Sequence, residues 1–160
     1  MSTLPSEPTM ITIEKILFLR NVPLFSGMLP RELSHLAGIA QEVVYTSGEQ
    51  IIKQGEHGTS MFLIVEGSVR IHTDALALAV LGEKDYFGEM SILDGEPRSA
   101  SATADTDCLL LRIDQDNFQT ILSNHFEVAL TIIRTLTQRL RQVEQTKNAD
   151  SPSEENTPNA

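Results

Sequence analysis

The 160-residue sequence has no tryptophan, a single cysteine and few basic side chains, and each shortage removes a class of function. One cysteine, Cys108, excludes an intramolecular disulfide and points to a reducing compartment. Within "DCLLLRI" it reads as a small buried strand residue. Lysine and arginine number 12 against 22 aspartates and glutamates, a formal net charge of −10. A nucleic-acid footprint needs a clustered basic excess, and an anionic membrane surface attracts the same residues. Neither nucleic acid nor membrane is an expected partner. No apolar run approaches the ~18 residues of a membrane span. The opening "MSTLPSEPTMITIEK" has neither a basic n-region nor an apolar h-region, so no signal peptide is read and the expected location is the cytoplasm.

Hydrophobic residues make up 41%, an ordinary globular share, in a chain long enough for one domain with a real core. Residues 1–11 are polar, contain two prolines and are expected to be flexible. "IEKILFLR" and "LPRELSHLAGIA" carry apolar residues at helical spacing, with Pro30 at a first-turn position and "NVPLF" between them as a turn. From Gln41 the period becomes two. "EVVYT", "QIIKQ", "MFLIVEG", "SVRIHT" and "LALAVLG" are strand-like, parted by turn signals at Ser47-Gly48, Gly55-Glu56-His57-Gly58, Gly67-Ser68 and Gly82. With "SASATA" and "CLLLRI" they predict an antiparallel barrel or jelly roll over about 41–113.

The helical period returns at Asp114. "DQDNFQTILSNH" opens on an aspartate suited to capping a helix. "FEVALTIIRTLTQRLRQVEQ" then places Phe126, Leu130, Ile133, Leu136, Leu140 and Val143 at near-heptad spacing. This stripe is either packing on the chain's own barrel or the seam of a homodimer through the Phe126–Val143 helix. C-terminal helices are expected over 114–144, and the acidic segment 145–160 is expected to be disordered.

One stretch carries chemistry: "FGEMSILDGEPRSASATA", Phe87–Ala104. Gly88 lets the backbone turn tightly and approach a ligand. "EMSIL" is one turn of helix whose N-terminal N–H groups suit an anion. Arg98 follows a turn and offers a planar fork that matches phosphate oxygens two at a time. The small residues Ser99, Ala100, Ser101 and Ala102 leave room beside it, and Ser99 adds a hydroxyl. Glu89 is misplaced beside an anion unless it points elsewhere, for example to a sugar hydroxyl. The layout fits a compact sugar phosphate. A bare ion pair between Glu89 and Arg98 across the turn fits the same spacing.

"FGEMSILDGEPRSASA" resembles the phosphate-binding cassette of the cyclic nucleotide-binding domain family, shared by catabolite-activator-type regulators, cyclic-nucleotide-dependent kinases and gated channels. Gly48, Gly55 and Gly67 match its supporting glycines, and the likeness spans residues 12 to about 143. The resemblance implies a mainly β fold, a double-stranded β-helix or jelly-roll-like β-roll, with N-terminal helices and a long C-terminal helix, over residues 12–144. It implies cyclic nucleotide as ligand, with site residues Gly88, Glu89, Met90, Arg98, Ser99 and Ala100. Glu89 would take the ribose 2′-hydroxyl and Arg98 the cyclic phosphate. Backbone N–H groups of Gly88, Glu89, Ser99 and Ala100 would complete the cradle, and the C-terminal helix would close over the base. Ser99 after the arginine leans to cAMP over cGMP. Two departures stand out. Lys84 occupies a common glycine position, and Val143 and Glu144 stand where the bacterial activators read adenine with a Thr-Ser pair.

The expectation is therefore a cytoplasmic cyclic-nucleotide sensor, not an enzyme and without cofactor or metal, acting through an unknown protein effector or by self-association. No recognition helix, kinase motif or channel segment is read after Glu144. A ligand-free interaction domain of the same fold is the alternative. A cupin-type metal enzyme is another, but His35, His57, His72 and His125 are scattered, without an H-x-H pair.

Overall fold

The computed structural model describes residues 10–150, with side chains described through Lys147. Helices α1 (Thr12–Arg20) and α2 (Pro30–Ile39) flank a short 3-10 turn, Pro23–Phe25. Strands β1 (Gln41–Tyr45), β2 (Gln50–Ile52), β3 (Ser60–Glu66), β4 (Val69–His72), β5 (Ala77–Leu81) and β6 (Tyr86–Phe87) follow. Helix α3 (Glu89–Asp94), β7 (Ser101–Ala104), β8 (Cys108–Asp114), α4 (Gln115–Asn124) and α5 (Phe126–Asp150) complete the order.

The strands pair into two four-stranded antiparallel sheets, β1-β8-β3-β6 and β2-β7-β4-β5. Alternation along β3 and β8 sorts the two cores. Met61, Leu63, Leu111 and Ile113 face the helices, where they pack with Leu19, Phe25, Leu36, Phe118, Val128 and Ile132. Phe62, Ile64 and Leu110 point the other way, onto Val69, Ala102 and Ala104 of the second sheet. Period two thus feeds two cores from one strand. Phe25 and Phe118 are fully buried. Truncating either to alanine costs about 3–5 kcal/mol. Cys108 is buried in β8, and burial pushes its thiol above the ordinary value. The β-roll with flanking helices is the fold the sequence implies. Gly48, Gly55 and Gly67 all adopt positive φ.

The structure departs from the sequence reading in four places. β6 is two residues long, too short to show a period. α5 runs to Asp150, where disorder was expected from residue 145. "QTKNAD" carries no helix breaker, so the helix propagates through it. Residues 1–9 and 151–160 lie outside the described residues, so the expected disorder of the segment's remainder does too. The α5 face that packs on the domain is Val128 and Ile132, while Phe126, Ile133, Leu140 and Val143 of the near-heptad stripe are more than half exposed. Finally, Asp114 stands at the N-cap of α4 but its side chain makes no capping bond. Among the described residues no helix is long and apolar enough to cross a membrane.

Candidate functional site

Arg98 is 7% exposed, an uncommon burial for a guanidinium. Its backbone is clamped first: its N–H donates to the Glu56 carbonyl at 2.8 Å, and its own carbonyl accepts from Gly55 at 2.9 Å. The side chain then runs back under the turn. Nη1 donates to the Gly88 carbonyl at 2.9 Å and Nη2 to the Ser60 carbonyl at 2.6 Å. Two glycines make that path. Gly88 has φ +82°, and a Cβ there would stand 2.7 Å from Arg98 Nη1. A Cβ on Gly58 would stand 2.3 Å from Cζ and from Nε.

Glu89 opens α3 beside it. Among the described residues no ion pair within 4.0 Å joins Glu89 to Arg98, so the simple pairing across the turn is not formed. The two groups still feel each other. Burial pushes the Glu89 carboxyl above its ordinary value, opposed by its own backbone N–H and then by Arg98. Burial pushes Arg98 down, opposed by Glu89. Each charge is held in a place that disfavours it and is only partly answered by the other. Perturbed titratable groups that line a cleft are candidates for a functional site.

Gly88, Glu89, Met90, Arg98, Ser99 and Ala100 line one cavity of about 160 Å³. All six residues singled out from the sequence meet there. The cavity sits at the mouth of the roll, with Ile52, Ile71 and Phe87 as apolar floor and Ser101 at its edge. The N–H groups of Ser99 and Ala100 take no intramolecular acceptor among the described residues. The site therefore combines a buried cation, open N–H donors, a hydroxyl and one half-buried carboxylate around a small space.

A second space of about 430 Å³ adjoins it, between α5 and the roll, and shares Tyr86 and Glu89 with the first. Leu81, Leu136, Leu140 and Val143 give it apolar walls. Arg139 lies over the Tyr86 ring, 5.3 Å from its centroid. Sequence reasoning missed Gly58, Ser60 and Tyr86. Gly58 read only as a turn glycine, and Ser60 contributes a carbonyl, which no side-chain motif reports. Among the described residues no group of three His, Cys, Asp or Glu is placed to hold a metal.

Comparison with known proteins gives the family of the domain. The family model described as "Cyclic nucleotide-binding domain" matches residues 42–125. The chain is 34% identical over 131 residues to the "Cyclic AMP receptor protein" of Thermus thermophilus, covering 79% of this chain and 61% of that one. It is 34% identical over 107 residues to a cAMP-dependent protein kinase regulatory subunit of Emericella nidulans, covering 66% of this chain and 26% of the relative. The N-terminal domain of a transcriptional regulator from Streptomyces coelicolor superposes with a TM-score of 0.72 at 30% identity, over 81% of this chain and 94% of that domain. The chain thus spans only part of these curated relatives, 61% and 26% of their lengths.

Proposed function

The chain belongs to the cyclic nucleotide-binding domain family, and from that premise we propose that it is a regulatory sensor that binds a cyclic nucleotide at the mouth of the β-roll. One observation carries the reading: Arg98 is buried beside an open cavity and, among the described residues, has no carboxylate partner within ion-pair distance. A buried guanidinium only partly answered by a carboxylate beyond ion-pair distance is costly, and an entering phosphate offsets that cost. Arg98 holds the cyclic phosphate, aided by N–H groups of Gly88, Glu89, Ser99 and Ala100. Glu89 accepts from the ribose 2′-hydroxyl, which explains a carboxylate tolerated next to an anion site. Met90 covers the cassette from the solvent side.

The base extends into the larger groove under α5. Leu136, Leu140 and Val143 offer it apolar contact there, and Arg139 a cation above a ring. None of these side chains reads a base edge with a donor–acceptor pair, so discrimination between purines is weak. Ser99 favours cAMP over cGMP. Occupancy is signalled by α5, to a protein effector or by self-association through its exposed stripe. No catalytic role is assigned to any residue of the site.

Calorimetric titration with cAMP and cGMP tests the reading. Saturable binding of cAMP at least as tight as cGMP is expected. Arg98→Lys should weaken it, because a point charge cannot copy the bidentate fork, and Arg98→Ala should cost about 2–5 kcal/mol. Absence of binding to both nucleotides by the wild type overturns the proposal.

A further inference from the structure

Asp114 ends β8 and directly precedes α4, the position from which an aspartate usually caps a helix. Its carboxylate is turned elsewhere. Oδ1 accepts from the Ser60 hydroxyl at 2.9 Å and lies 3.3 Å from Arg112 Nε, without hydrogen-bonding alignment to the latter. Arg112 is itself held by Gln41, its Nη2 donating to Oε1 at 2.7 Å. Ser60 and Asp114 are direct cross-strand partners in the β3–β8 ladder. Ser60 is also the residue whose carbonyl accepts from Arg98 Nη2. One residue thus touches the arginine with its main chain and Asp114 with its side chain. The contacts around it run the same way. The Gln115 N–H donates to the Thr59 carbonyl at 2.8 Å, and its Nε2 to the Ile92 carbonyl of α3 at 3.4 Å.

A side-chain bond kept only to hold the strand pair together would not require the aspartate to give up its usual capping bond. The observed choice favours the serine, and the serine's position decides where the guanidinium rests. We infer that Ser60 and Asp114 are positioning residues for Arg98. Their hydrogen bond fixes the Ser60 carbonyl that seats the guanidinium and ties that seat to the first turn of α4. The inference rests on the reading that Arg98 receives the phosphate of a cyclic nucleotide. It gives the phosphate end of the site a second connection to the C-terminal helices, separate from the base groove.

The test is a double-mutant cycle, Ser60→Ala in the wild type and in Arg98→Lys, read by calorimetric titration with cAMP and by melting of the ligand-free proteins. In the wild-type background Ser60→Ala should weaken cAMP binding about three- to tenfold. Ser60→Thr, which keeps the hydroxyl, should restore affinity to within about twofold. In the Arg98→Lys background Ser60→Ala should cost little further, because it acts through the arginine. Unchanged affinity in Ser60→Ala, or equal losses in both backgrounds, overturns the inference. Where the lysine variant binds too weakly to titrate, the melts decide. Coupled destabilisation by the two substitutions supports positioning, and additive destabilisation overturns it. If the wild type binds neither cAMP nor cGMP, the ligand reading fails, and the ligand-free melts still settle whether Ser60 and Arg98 are coupled.

Discussion

Arg98 passes over Gly58 so closely that a methyl group on Gly58 would overlap the guanidinium, with the added Cβ 2.3 Å from Cζ. The arginine and the glycine lie 40 positions apart, yet one fixes the path of the other. Gly58→Ala must therefore move Arg98 off its two carbonyl seats. The expected outcome is a loss of cAMP affinity of tenfold or more with the β-roll still folded, read by titration alongside circular dichroism. Arg98→Lys should lose less additional affinity in Gly58→Ala than in the wild type, since the fork is already misplaced.

Glu89 supplies a pH signature. Its folded-state pKa is raised by burial. A raised carboxyl contributes stability that is fully present below the unfolded value, about 4.3, and lost as pH rises through the folded value. Glutamine does not titrate. The melting temperature of ligand-free Glu89→Gln should therefore match or trail the wild type near pH 4 and exceed it at pH 7, as a difference that grows across that interval. The same variant should bind cAMP more weakly, by about 1–3 kcal/mol, because a neutral acceptor replaces a charged one. Melting curves that stay parallel from pH 4 to 7 would contradict the burial of this carboxyl.

The exposed stripe on α5 predicts self-association. Ile133 is 58% exposed and lies away from the groove residues. Sedimentation of the wild type at about 100 μM should show dimer, and Ile133→Glu should show monomer, since a carboxylate buried in each half of a seam is costly. The melting temperature of the roll should hardly change. A wild type that sediments as monomer assigns the stripe to a different protein.

Lys84 is the one non-glycine residue at positive φ among the described residues, at +72°. It sits in a tight turn where its N–H donates to the Ile64 carbonyl at 2.8 Å and Gly82 donates to the Asp85 carboxylate. A left-handed L-residue costs roughly 1–2 kcal/mol, and glycine gives back part of the gain in unfolded-state entropy. Lys84→Gly should stabilise the protein by about 0.5–1 kcal/mol, a few degrees of melting temperature. Lys84→Ala, which keeps the steric problem, should not.

The sequence was most legible where period and chemistry coincide. The alternation in "MFLIV" became β3 with its two opposed cores, and Gly88, Glu89, Arg98, Ser99 and Ala100 converged on one cavity. It was least legible where main-chain atoms do the work. Nothing in "GEHGTS" reports that the Ser60 carbonyl will meet an arginine from residue 98. β6, with Tyr86 and Phe87, pairs with β3 over two residues only, and no pattern fits in so short a span. The near-heptad spacing of α5 could not distinguish its inner from its outer face. Val128 and Ile132, outside the stripe, proved to be the buried pair. Asp114 looked like a cap because capping is local, whereas its partner Ser60 is 54 residues away.

The length of α5 has a mechanical consequence. Its last residues buried against the domain are near Ile132, and every described residue from Leu136 to Lys147 is exposed. At 1.5 Å per residue, roughly 20 Å of helix runs on from that base, first over the groove that Leu136, Arg139, Leu140 and Val143 line. The helix is a lever with a short buried end and a long arm that the roll holds only lightly, through Arg139 over Tyr86. A tilt of about 10° at Ile132 carries the tip through roughly 3–4 Å, enough to make or break a row of side-chain contacts with whatever lies alongside. A rearrangement too small to disturb the core of the roll is thus enlarged, by geometry alone, into a displacement that a neighbouring molecule can register.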